Sequence, residues 1–159
     1  MQLNITNYFR IILLSSFLVL VSAFIIEFLF NHPPCNLCIY QRVPYYFLLI
    51  ISLTSLFFNN IRVLIYSSLI ALIASMVISI FHSLVERKLV NFQMGCTSQQ
   101  ENFSNIEDLR NFLDTVPITK CDEITFSIMG FSLANINLII SFLLILLTLH
   151  CLINYEKNK

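Results

Sequence analysis

The sequence predicts an all-α membrane protein: a four-transmembrane-helix bundle with a short interfacial helix in its second outer loop. Three observations predict it. The 159 residues are 57% hydrophobic and only 11% charged, with a mean hydropathy of +0.80. A soluble domain of this size could not hide so much apolar surface, whereas a bilayer solvates it. Four apolar stretches run about Ile11–Phe30, Ile39–Phe58, Val63–Val85 and Phe131–Ile153, and roughly 20 helical residues cover a hydrocarbon core of about 30 Å. Inside lipid each segment must satisfy its own backbone hydrogen bonds, so these stretches are helices and not open strands.

The first stretch has a loose cleavage-like triplet, Val21-Ser22-Ala23, but it lies inside the apolar run and not after it. The run is also long for a signal-peptide core, so a retained helix is expected. Residues 1–159 read as one membrane domain. The first two spans are joined by a short loop closed by Pro33-Pro34, and the next two by a tight turn at Asn59–Arg62. Before the last span comes a polar segment of 40 residues, Glu86–Thr125. Within it, Ser104-Asn105-Ile106-Glu107 fits a capping box. Ile106, Leu109, Phe112 and Leu113 then share one face, and Pro117 ends the helix. Such a helix suits the membrane surface, or else packs on its own loop.

Net charge is zero, so no basic field exists to hold nucleic acid. Charge does set orientation. Arg10, Arg62, Lys157 and Lys159 gather on one side against a single Glu156. The long loop on the other side carries the acids Glu86, Glu101, Glu107, Asp108, Asp114, Asp122 and Glu123 against the bases Arg87, Lys88, Arg110 and Lys120. The positive side is expected to be cytoplasmic, with both termini inside and loops 31–38 and 86–125 outside.

Of five cysteines, Cys35, Cys38, Cys96 and Cys121 fall in or beside the outer loops, and Cys151 lies near the inner end of the last span, where it reads as a packing or interface residue. Disulfides persist on the oxidising side of a membrane, which agrees with the charge argument. Cys35-Asn36-Leu37-Cys38 has the spacing of a small, easily opened disulfide ring. Haem attachment would need His after the second cysteine, and Ile39 stands there. Zinc, with His32 as a further ligand, and a purely structural disulfide stay open as weaker readings. Cys38 is placed in the first turn of a helix, whose dipole favours an anion. Arg42 follows four residues later on the same face. Both stabilise a thiolate and form a site for an electron-rich acceptor, the alternative for Arg42 being simple snorkelling. Cys96 and Cys121 enclose 24 residues of loop, and spacing alone does not say whether that pair is redox-active.

Other polar groups near the outer ends are Glu27, His82 and Glu86, the last two at i and i+4. They read first as interfacial groups wetted by water, with proton supply to a nearby redox site as the alternative. Tyr40, Tyr45 and Tyr46 read as lipid-facing or interfacial aromatics.

Cys35-Asn36-Leu37-Cys38-Ile39-Tyr40-Gln41-Arg42 resembles the signature of the DsbB disulfide-forming proteins. Phe81-His82-Ser83-Leu84-Val85-Glu86 resembles the end of the third helix in one branch of them. Cys121-Asp122-Glu123, then Met129-Gly130-Phe131-Ser132-Leu133-Ala134 and Asn137, resembles the segment entering the fourth helix. The resemblance spans nearly the whole chain. It implies a quinone-dependent thiol oxidase of the bacterial inner membrane, with periplasmic cysteine loops. A periplasmic DsbA-type thioredoxin-fold oxidase would attack a Cys96–Cys121 disulfide at Cys96. Cys121 would exchange with Cys35. Cys38 would contact a membrane quinone, ubiquinone or menaquinone, that Arg42 helps to hold. Gln41 departs from the pattern, since some members carry Glu there. No catalytic histidine is carried over. A metal-handling or scaffold membrane protein, and a carrier working in the reducing direction, are the competing classes.

Overall fold

The computed structural model describes residues 5–30, 34–57, 60–90, 121, 127–128 and 131–157. Four helices dominate them: α1 (Ile5–Leu29), α2 (Asn36–Thr54), α3 (Ile61–Glu86) and α4 (Leu133–Lys157). All four are long and apolar enough to cross a membrane. The expected four-helix membrane architecture therefore holds. Cys96, His32 and the expected interfacial helix beginning at Ser104 lie outside the described residues.

The boundaries move for physical reasons. α1 starts at Ile5, a turn and a half before the apolar run, because Tyr8 and Phe9 are buried in the bundle and extend its packed face. Phe131 and Ser132, expected in the last span, form a strand instead. β1 (Ser127–Ile128) pairs antiparallel with β2 (Phe131–Ser132). Ser132 then ends the hairpin by accepting the N–H of Asn135 on its Oγ (3.3 Å), as an N-cap serine does. At the start of α2, Cys35 has extended backbone (φ −73°, ψ 165°), and its sulfur accepts the Cys38 N–H at 3.3 Å. A Cys-X-X-Cys sequence thus places its first sulfur at the N-cap and its second at the third helical position, the ordinary capping geometry.

α1 packs on α2, α2 on α3 and α3 on α4, while α1 and α4 touch far less. Large apolar side chains such as Phe17, Leu18, Phe47, Ile70 and Leu143 point outward, as lipid permits. Inside, small polar residues let helices approach and bond to one another. Ser68, Ser75, Ser79 and His82 are buried along one face of α3, and Asn137, Ser141 and Thr148 along one face of α4. Tyr8 Oη reaches Ser68 (2.7 Å) and Thr148 (3.1 Å). Tyr45 Oη donates to Asn137 Oδ1 and lies 3.1 Å from Ser141 Oγ, Ser141 meets Ser75 (2.9 Å), and Asn137 Nδ2 donates to Ser79 (2.7 Å). Tyr45 is therefore not the lipid-facing or interfacial aromatic expected of it. It shares the inward face of α2 with Leu37, Gln41, Leu48 and Ser52, while Tyr40 and Tyr46 do stay exposed. At the far end Arg62 pairs with Glu156 at 3.0 Å, and Cys151 is buried in the apolar core as its packing reading expected.

Candidate functional site

Cys35, Cys38 and Cys121 converge where α2 and α4 begin and α1 and α3 end. Cys35 and Cys38 bring their sulfurs to 2.8 Å. Cys35, Leu37 and Val85 form a small buried cluster, and Cys38, Phe81 and Cys121 pack against it. The Cys121 sulfur bonds to the Cys35 side chain and to the backbone N–H groups of Asn36 and Leu37. The first turn of a helix has no internal acceptors for its N–H groups. Here these groups point at sulfur: Cys38 N–H at Cys35, the two before it at Cys121. That arrangement favours negative charge on sulfur.

The local electrostatics are uneven. Hydrogen bonding to the Cys38 thiol and burial push the Cys35 thiol up to about 12 from its ordinary 9.0, against the opposing pull of His82. Burial pushes the Cys121 thiol up as well.

His82 and Glu86 are not the water-wetted groups expected. His82 is 3% exposed, and its Nε2 lies 3.7 Å from Cys35 Sγ and 3.7 Å from Glu86 Oε1. The i, i+4 pairing expected from the sequence is present, but it faces the sulfurs. Cys35, Cys38 and His82 place their ligand atoms within 4.8 Å of one another, a donor set of the kind that soft metals take. Tetrahedral zinc with bonds of about 2.3 Å holds its sulfurs about 3.8 Å apart, wider than the 2.8 Å found.

On the other side of Cys38, a cavity of about 130 Å³ opens between α1, α2 and α4. Val19, Ala23, Ile26, Ile136 and Ile140 give it apolar walls, and Cys38, Gln41, Arg42, Tyr45 and Asn137 bring polar atoms to it. Cys38 and Arg42 thus share a face, as their spacing required. Arg42 donates to Glu27 Oε2 at 2.6 Å and stacks over the Phe24 ring at 5.3 Å. It does not snorkel: only 14% of its side chain is exposed. The Glu27 partnership was missed in the sequence. Its signal was an acid and a base at matching depth on two helices joined by a short loop. The amide nitrogen of Gln41 is buried with no hydrogen-bond partner among the described residues.

Disulfide bond formation protein DsbB is the family that matches, over residues 6–151. An uncharacterized protein of Rickettsia prowazekii (strain Madrid E) is 31% identical over 172 aligned positions, which cover 100% of this chain and 99% of that protein. No solved structure matches. Four membrane-spanning helices, a Cys-X-X-Cys pair capping the second of them, and a family match over nearly the whole chain lead to one conclusion: this is a membrane protein of the DsbB family of disulfide bond formation proteins.

Proposed function

We propose that the chain is a quinone-dependent thiol oxidase of the bacterial inner membrane. It reoxidises a periplasmic DsbA-type dithiol oxidase through Cys96–Cys121 and then Cys35–Cys38, and a membrane quinone receives the electrons. The observation that carries the reading is the position of Cys38, one of whose neighbours is the sulfur of Cys35 while its other side lines the cavity with Arg42.

The cavity suits a quinone in kind. Its walls are apolar, and convergent polar groups include a guanidinium and a buried amide that has no partner among the described residues. It lies along the seam between α1 and α4, which touch far less than the other neighbouring pairs, so a lipid-dissolved molecule has a sideways entry. A bound quinone supplies a two-electron, two-proton acceptor. The rest falls to the chain's own residues. The α2 amides hold Cys121 as a nucleophile against Cys35. Attack by Cys121 on Cys35 forms the bond between them and breaks the Cys35–Cys38 bond, and the electron pair leaves on Cys38 at the cavity wall. Glu27 offsets the charge of Arg42, which lets the guanidinium stay buried beside that sulfur. The cytoplasmic placement of both termini, and the periplasmic placement of the cysteine loops, belong to the same proposal.

Thiol trapping and quinone-reduction assays on cysteine variants test it. Cys121→Ala leaves no loop disulfide, so the Cys96 thiol should attack the disulfide of the oxidised soluble oxidase and accumulate covalently joined to it, since the resolving thiol is gone. Cys38→Ala should stop quinone reduction, and Cys151→Ala should leave turnover nearly unchanged. Arg42→Met combined with Glu27→Gln removes both charges together and should weaken quinone use at near-normal protein level. Normal turnover of the protein substrate without Cys96 and Cys121 would sink the relay.

A further inference from the structure

His82 and Glu86 end α3 one turn apart, and both are nearly enclosed, with side-chain exposures of 4% and 9%. Ionisable groups at a membrane edge are costly to enclose unless they pair or act. The face they share is turned toward the start of α2. His82 Nε2 stands 3.7 Å from the Cys35 sulfur and 3.7 Å from a Glu86 carboxylate oxygen. Its Nδ1 is buried with no partner among the described residues. A histidine kept for structure normally satisfies both nitrogens. Here the structure concentrates everything on Nε2, between a reacting atom and a counter-ion.

We propose that His82, backed by Glu86, is the catalytic proton carrier for Cys35 in its exchange with Cys121. This rests on the relay reading above. When Cys96 attacks Cys121 of a Cys35–Cys121 disulfide, the Cys96–Cys121 bond forms and the Cys35–Cys121 bond breaks. The electron pair leaves on Cys35, and the proton on Nε2 passes to that sulfur, leaving a neutral imidazole. Run backwards, Nε2 takes the proton from the Cys35 thiol and the thiolate attacks Cys121. The Glu86 carboxylate faces the imidazolium in either direction. Such help is needed because a buried thiol held near 12 is a poor leaving group and scarcely a thiolate near neutrality. Among the described residues the other titratable groups around His82 are Cys38 from α2 and Cys121 from the segment ahead of α4. Arg87 and Lys88 follow α3, and the Arg42–Glu27 pair lies across the cavity side of Cys38.

The full-length chain carrying Cys38→Ser, in lipid nanodiscs with Cys96–Cys121 oxidised, reads the backward step directly. Formation of the Cys35–Cys121 link is quenched in acid and resolved by mass-tagged thiols, from about pH 6 to about pH 10. Adding His82→Gln should slow the link about 100-fold near pH 7. The rate should then climb with pH until it approaches the parent near pH 10, where hydroxide replaces the lost base. That convergence also shows an assembled site. Glu86→Gln, which keeps the imidazole, should fall between the two. A His82→Gln profile parallel to the parent, whether unchanged or slower by a constant factor, overturns the proton-carrier role while the relay stands. A parent chain that forms no link at any pH overturns the relay itself.

Discussion

Cys35 holds several offices at once, and they pull its chemistry in different directions. As the N-cap of α2 it accepts a backbone N–H, which favours charge on sulfur, whereas its bond to Cys38 and its burial keep the proton on. The second influence is the stronger, and it has a consequence for stability. The folded protein holds the Cys35 proton more tightly than the unfolded chain does. This stabilises the fold fully below about pH 9 and is lost as pH rises from 9.0 toward about 12. Thermal unfolding in detergent should show it: the gap between the dithiol protein and Cys35→Ser narrows across that window. Parallel curves would mean that the thiol is not perturbed. Cys121 is pushed in the same direction by burial, so the chain retaining it should still lose some stability in that range.

At the scale of elements, the bundle is joined by hydroxyls and amides. Lipid is as apolar as leucine, so apolar burial alone does little to bring spanning helices together. Tyr45 bridges α2 to Asn137 and Ser141 of α4, and those two are bonded in turn to Ser79 and Ser75 of α3. Tyr45→Phe keeps the ring and removes the bridge. It should destabilise the fold by about 1 kcal/mol, the scale of an interhelical hydrogen bond in a membrane protein. Because Tyr45 and Asn137 also line the cavity, the apparent affinity for the proposed quinone should weaken too. Denaturant unfolding and quinone titration of the same preparation check both. A loss of stability with unchanged quinone affinity would restrict Tyr45 to packing.

For the molecule as a whole, the two ends differ. One gathers Cys35, Cys38, Cys121, His82 and the cavity. The other gathers the Arg62–Glu156 pair and Arg62 over the Tyr155 ring at 6.0 Å. If the positive end faces the cytoplasm, periplasm-active reporters should be silent on the C-terminus and active in the 86–125 loop. A C-terminal reporter active outside would reverse the orientation and place the thiols in a reducing compartment, which the relay could not survive.

Much of this was legible in order of residues. Span length and hydropathy demanded four helices, because lipid offers the backbone no other partner. The sequence placed Cys38 in the first turn of a helix, and the structure makes Cys35 the N-cap ahead of it. The serines at 68, 75 and 79, with Asn137, Ser141 and Thr148, already repeated at helical intervals and marked the inward faces. What a linear pattern could not supply was the partner of each group, because partners come from other helices. Only the folded bundle set Glu27 against Arg42, turned His82 toward Cys35 and aimed the free amides of α2 at Cys121. The cavity is likewise a property of how α1 and α4 fail to close against each other. Periodicity determines which face of a helix is turned inward, while what meets that face depends on the depth and rotation of its neighbours, which are set by packing.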